Sequence, residues 1–214
     1  MDYDARKGDW ARHGLVRDPF KSIVAPRPVG WISTVSADGI VNLAPYSYFN
    51  AVSEDPHFLM FASGGIKDSV RNIMQTGEFV CSLATFDLRH AVNVSSAAMP
   101  YGVDEFPIAG LTAAPSNFVK PPRVRESPAA LECRHHQTVV LPSGNKGTNY
   151  HVVIGEVIGI HLDEAFVNNG RLSTGDLMPI ARLGGPEYGV IRPEAVFALG
   201  RPTVDANGRV VIKD

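Results

Sequence analysis

Residues 46–50, Tyr-Ser-Tyr-Phe-Asn, set three aromatic rings beside a hydroxyl and an amide directly after Pro45. Aromatic faces suit a flat heteroaromatic ligand, and the polar groups beside them can read its edge. Asn50 carries a donor and an acceptor together, which matches the alternating carbonyl and N–H edge of a pyrimidine-like ring. Ser47, three residues earlier in a segment leaving a strand, can address the same edge. The same residues can also end a strand and pack their rings into the core. From spacing alone both readings are open.

A second constellation is Ser63-Gly-Gly-Ile-Lys-Asp-Ser69, which opens a predicted helix. A helix N-terminus presents unpaired N–H groups and a partial positive charge, so phosphate is a natural occupant. Lys67 adds a full charge, and Ser63 and Ser69 add hydroxyl donors. A plain helix cap with a solvated lysine is the competing reading. The spacing is not that of a Walker loop, and Gly-x-Gly-x-x-Gly is absent. Gly-x-Ser-x-Gly and His-Glu-x-x-His are absent too, so hydrolytic chemistry has no support. His151 begins a strand, from which it can enter a cleft or cap a sheet edge. Cys81 shares its strand phase with Phe79 and Leu83 and reads as a small buried hydrophobe. Cys133 with His135 and His136 makes a poor metal cage, and no metal is expected.

These groups need elements to hold them. Asp38-Gly39 predicts a two-residue type I′ turn between strands at 31–36 and 40–44. A buried strand follows at 57–63. Val70, Ile73 and Met74 predict a helix over 67–75, capped by Asp68 or Ser69 and ended by Gly77. A strand at 78–84 and a second helix within 86–96 come next. Residues 97–128, rich in Pro and Gly, form a long irregular excursion of the kind that carries function or an interface. Two long strands, 130–141 and 150–161, flank a turn at 142–148. In the second, Val152, Ile154, Ile158 and Ile160 share a face, interrupted by Glu156. Many short strands and few helices point to a closed or partly closed antiparallel barrel.

The 214 residues are 44% hydrophobic and 20% charged, enough for a substantial core. They suit one domain over 1–214 with its core at about 20–190. The net charge of −2 gives no push toward nucleic acid or an anionic membrane. No apolar run approaches the roughly 20 residues a spanning helix needs. The N-terminus has no apolar signal core, which points to the cytoplasm.

The chain resembles the flavin reductase-like family with an FMN-binding split barrel. The resemblance rests on Arg27-Pro-Val-Gly-Trp31, Ser33-Thr34, Ala44-Pro-Tyr-Ser-Tyr-Phe-Asn50 and Lys67-Asp-Ser-x-x-Asn72-Ile. Gly110-Leu, Ser127-Pro-x-x-Leu-Glu-Cys133 and Gly155-Glu-Val157 extend it, and Arg182-Leu-Gly-Gly-x-x-Tyr188 resembles the flavoredoxin-like members. It implies a mainly β fold, a six-stranded antiparallel split barrel with Greek-key connections and a few short helices. It also implies a homodimer with FMN in a groove at the subunit interface. Trp31 and Ser33 would lie along the flavin. Ser47, Tyr48, Phe49 and Asn50 would meet the ring edge and ribityl chain. Ser63, Lys67, Asp68 and Ser69 would hold the phosphate end, and His151 would stand near the nicotinamide. Ala at Gly30 would be neutral. The implied activity is flavin-dependent: NADH or NADPH reduces FMN, which passes electrons to a flavin, a flavin-dependent monooxygenase or another small acceptor. An FMN electron carrier without NAD(P)H activity is the alternative. No catalytic acid–base pair stands out, as expected where the cofactor does the hard chemistry.

Overall fold

The computed structural model describes residues 1–144 and 147–212. Its first hairpin joins β1 (Gly30–Val35) to β2 (Val41–Tyr46). Of the two central turn residues only Gly39 has positive φ, at 85°. A type I′ turn needs both, so the expected turn type is wrong. Instead the Ser36 oxygen accepts from the Gly39 N–H, and the Ser36 hydroxyl oxygen accepts from the Ile40 N–H at 3.1 Å. The serine side chain supplies a contact that the two-residue turn would not need.

Five more strands complete the main sheet: β3 (Phe49–Glu54), β4 (His57–Gly64), β5 (Glu78–Leu83), β6 (Ala129–Leu141) and β7 (Tyr150–Leu162). The order is β2-β1-β5-β6-β7-β4-β3, antiparallel throughout. The sheet thus has seven strands rather than six. The extra one is β3, because the stretch after Tyr48 pairs back onto β4. The ladder does not close, since β2 and β3 each have one unpaired border. These borders are nonetheless near neighbours. Phe49 of β3 packs its ring where a Cβ on Gly30 of β1 would stand, so alanine at Gly30 would not be neutral. The expected turn at 142–148 runs through residues 145 and 146, which lie outside the described residues.

Helix α1 (Asp68–Thr76) carries the chain from β4 to β5. Val70 and Ile73 are its buried face, and Gly77 ends it at φ 76° with its N–H bonded to the Ile73 oxygen. Its N-cap is Lys67, whose extended backbone has no side-chain cap, so neither Asp68 nor Ser69 caps it. The second helix is shorter than expected: α2 (Arg89–Val94). Among the described residues no helix is long and apolar enough to cross a membrane.

Both faces of the sheet are covered. Ile32, Phe61, Phe79, Cys81, Cys133 and Val153 form one core with Val70 and Ile73 of α1. Trp31, Leu43, Val92, Phe106, Val124 and Ile180 form another. Trp31 and Ile32 enter opposite cores because successive strand residues point to opposite faces. On β7 the buried residues are His151, Val153, Gly155 and Gly159, not the expected set of Val152, Ile154, Ile158 and Ile160. All four lie in the opposite phase of the strand, and of the expected set Ile158 still packs on Val80, Val119 and Ala130.

The excursion 97–128 is what closes the second face, and polar side chains pin it. Glu132 of β6 accepts from the Asn117 and Phe118 N–H groups at 3.0 and 2.6 Å. Glu78 of β5 accepts from Lys120 N–H at 2.9 Å. Val124 N–H donates to the Ser82 hydroxyl oxygen, and the Ser33 hydroxyl donates to the Pro122 oxygen. In return Glu105 reaches from the excursion to the free border of β2 and accepts from Leu43 N–H at 2.8 Å.

Candidate functional site

Ser63 ends β4, and α1 begins five residues later, so the two constellations of the sequence converge here. A cavity of about 260 Å³ opens at the start of α1 along the free border of β2. Lys67, Asp68 and Ser69 form one wall, Asn42 to Tyr46 of β2 a second, and Ser95 to Met99 after α2 a third. Lys67 is exposed and among the described residues has no carboxylate partner. Asp68 is turned aside into an ion pair with Arg71 at 2.8 Å.

Behind this wall lies a buried polar network. Asn42 donates to the Thr34 and Ser69 hydroxyl oxygens at 3.1 and 3.0 Å, and Asn72 donates to Thr34 at 3.0 Å. The Ser69 oxygen is therefore fixed as an acceptor, and its own proton is free to donate. Asn42 and Asn72 went unremarked in the sequence. Their signal is a polar amide at a position whose strand or helix phase is buried.

Two further polar atoms are buried without partners. The Tyr46 hydroxyl, on a residue only 8% exposed, sits beside the Ser63 and Ser69 hydroxyls yet makes no hydrogen bond of its own. Burial raises its pKa. Nδ1 of His151 is likewise unpaired on a residue 9% exposed. His151 lies directly across the ladder from Ser63. Buried polar groups are nearly always satisfied, so unpaired ones close to a helix start point to a missing partner. Glu105 also lines the cavity; burial raises its pKa, with Asp68 and Asp104 adding to the effect.

The aromatic stretch divides. Tyr46 stacks on Phe61 at 4.6 Å and belongs to the core. Ser47, Tyr48 and Phe49 are half-buried at the gap between β2 and β3. Tyr48 meets Tyr150 edge-on at 5.9 Å, with the Lys21 ammonium 5.9 Å from its ring. Asn50 is exposed, and its side-chain oxygen accepts from the Ala51 N–H at 2.9 Å. The cavity therefore meets this ledge at Tyr46 rather than at Asn50.

Two residues expected along the flavin are placed away from the cavity surface. Trp31 and Ser33 have no exposed surface. β1 is flanked by β2 and β5, and both its faces are packed. The Trp31 indole N–H donates to the Ser95 hydroxyl at 2.9 Å, and Ser33 holds Pro122. Through Ser95 and the excursion, both residues position walls instead of touching what lies between them.

Three comparisons bear on this geometry. Residues 23–175 match the family described as flavin reductase like domain. An uncharacterized protein of Aquifex aeolicus (strain VF5) is 36% identical over 172 residues, 78% of this chain and 85% of that protein. Among solved structures, nitrilotriacetate monooxygenase component B from Bacillus cereus superposes with a TM-score of 0.83 at 27% identity, over 93% of this chain and 98% of that one. An FMN-binding protein from Thermus thermophilus, seen with bound 1-cyclohex-2-enone, has a TM-score of 0.71 at 17% identity, over 92% and 99%.

Proposed function

The chain belongs to the flavin reductase-like family, and from that premise we propose that it is a flavin-dependent oxidoreductase holding FMN in the cavity at the start of α1. The observation that carries the reading is the convergence of unpaired groups on one spot. The Tyr46 hydroxyl and Nδ1 of His151 are buried without partners, beside Ser63, Ser69 and the N–H groups that open a nine-residue helix. A phosphate ester supplies several acceptor oxygens to such a set, and Lys67 adds the opposing charge. The ring system would then run toward Ser47, Tyr48 and Phe49, whose half-buried faces line the gap between β2 and β3, with Asn50 at its far end.

Bound FMN supplies the redox chemistry, accepting electrons from NADH or NADPH and delivering them to a flavin, a monooxygenase partner or another small acceptor. The chain's own part is to bind, orient and shield. Lys67 and Ser69 hold the charged end, with Ser63, whose hydroxyl donates to the Gly65 oxygen at 3.0 Å, bracing the loop behind them, while Asp68 is kept from opposing it by its ion pair with Arg71. Asn42 donates to the Ser69 oxygen, which leaves the Ser69 proton available to the ligand. His151 stands beside Ser63 and is proposed to act near the substrate end, as well as to donate to the ligand. Residues 1–214 are proposed to work as one split-barrel domain, paired as a homodimer. The outer ends of β6 and β7 support the pairing, since Val139, Val140, Leu141 and Tyr150 are exposed there.

The decisive measurement is an absorbance titration with FMN followed by anaerobic NADH or NADPH. The expected result is saturable binding with a flavin spectrum that bleaches on addition of the reductant. Binding without bleaching assigns the chain to electron carriage. Absence of any FMN binding removes the reading altogether.

A further inference from the structure

The cavity at α1 carries one acidic group that cofactor binding has not yet used. Glu105 lines it from the four-residue helix Glu105–Ile108 and is 5% exposed. Its carboxylate accepts one described hydrogen bond, from the Leu43 N–H of β2 at 2.8 Å. No described ion pair includes it. Lys67 lines the same cavity yet stays beyond ion-pair distance, and Asp68 is paired with Arg71 at 2.8 Å. Asp104 precedes Glu105 in the chain, and the Ser95 to Met99 wall has no charged side chain. Tyr46 of β2 is the remaining titratable group here, and burial keeps its phenol protonated. Burial pushes the Glu105 carboxyl above the ordinary carboxylate range; Asp68 and Asp104 push the same way, and the Leu43 N–H opposes them.

The charges in this cavity do not balance once a phosphate enters. A phosphate monoester brings about −1.5 to −2 at neutral pH. Lys67 answers with one positive charge, and among the described residues the cavity wall has no second cation. An ionised Glu105 adds a further negative charge to the same poorly solvated space, and like charges there disfavour each other. A proton on Glu105 removes that repulsion. The neutral carboxyl still has an oxygen to accept from the Leu43 N–H.

We propose, on the reading that FMN fills this cavity, that the phosphate enters together with one proton and that Glu105 holds it. Glu105 touches no reacting atom in this role; it sets the pH range over which the cofactor is retained. An anion beside the carboxyl raises its proton affinity further. FMN affinity should therefore fall as pH rises from the free-state pKa of Glu105 to its bound-state pKa, and this contribution is flat on either side.

The test is FMN titration of the full-length protein at low salt, from about pH 5 to about pH 8.5, beside Glu105→Gln. Glutamine keeps an oxygen for the Leu43 N–H and cannot ionise. The titration of the phosphate itself, near pH 6, is common to both proteins and cancels in the ratio of their affinities. The two should bind FMN alike at the acidic end, and Glu105→Gln should bind about tenfold more tightly at the alkaline end. Riboflavin, which lacks the phosphate, should show no such divergence. Two measurements need no variant. Calorimetry of the wild type in buffers of unequal ionisation heat should show proton uptake with FMN at about pH 7.5, above the phosphate pKa, and none with riboflavin. Infrared difference spectra of the same complex should gain a protonated-carboxyl band. An affinity ratio constant across the range, proton uptake that persists in Glu105→Gln and so belongs to a group such as His151, or no carboxyl band would each overturn the assignment while FMN binding stands. No FMN binding at any pH would remove the cofactor reading and the role of Glu105 with it.

Discussion

At the scale of single residues, the site depends on groups with nothing yet to bond. Among the described residues Lys67 is the only full positive charge on the cavity wall. Replacing it with alanine removes one charge-assisted contact, about 1.5–3 kcal/mol, or roughly 10- to 150-fold in the FMN dissociation constant. A fluorescence titration at low salt measures it, and hydride transfer should slow far less. Gly30 makes the opposite kind of prediction. A methyl group there meets the Phe49 ring, so Gly30→Ala should cost about 1–3 kcal/mol by overpacking, read as a lower urea midpoint with unchanged slope. The helix start after Ser63 was legible in the sequence because a Gly-Gly break before a helical period announces it. The burial of Trp31 and Ser33 was not, for a physical reason. Polar and aromatic types suggest a surface, but β1 sits in mid-sheet with both faces covered, and one sequence does not reveal what covers a strand.

At the scale of elements, strand positions were readable and their faces were not. The period of two located the long strands within a residue or so, yet on β7 the buried phase is that of His151, Val153, Gly155 and Gly159, opposite to the expected apolar face. The excursion was legible as irregular and opaque as to what holds it. Glu132 is its main anchor, 1% exposed and accepting from two backbone N–H groups. Glu132→Ala removes the charged acceptor from two part-buried N–H groups, at about 1–3 kcal/mol in all. Hydrogen exchange should then accelerate at Asn117 and Phe118 well before the amides of β5 and β6 respond, since local opening precedes global unfolding.

At the scale of the whole molecule, order is uneven along the chain. Past Val196 the described residues hold only a short hairpin, Thr203–Val204 with Val210–Val211, and Phe197 and Leu199 are 79% and 85% exposed. Limited proteolysis should therefore trim this tail first. The trimmed protein is expected to melt within a few degrees of the intact one, by calorimetry, because neither main core includes a tail residue. The cofactor cavity lies within the part that remains.

One last feature bears on crowded conditions. The outer rim of β2 has its Leu43 donor occupied by Glu105 and offers no donor at Pro45; the rim of β3 has its Ala51 donor occupied by its own Asn50. Backbone pairing onto either end of the main sheet is thereby hindered, because a newcomer would have to displace a side chain already seated on the rim.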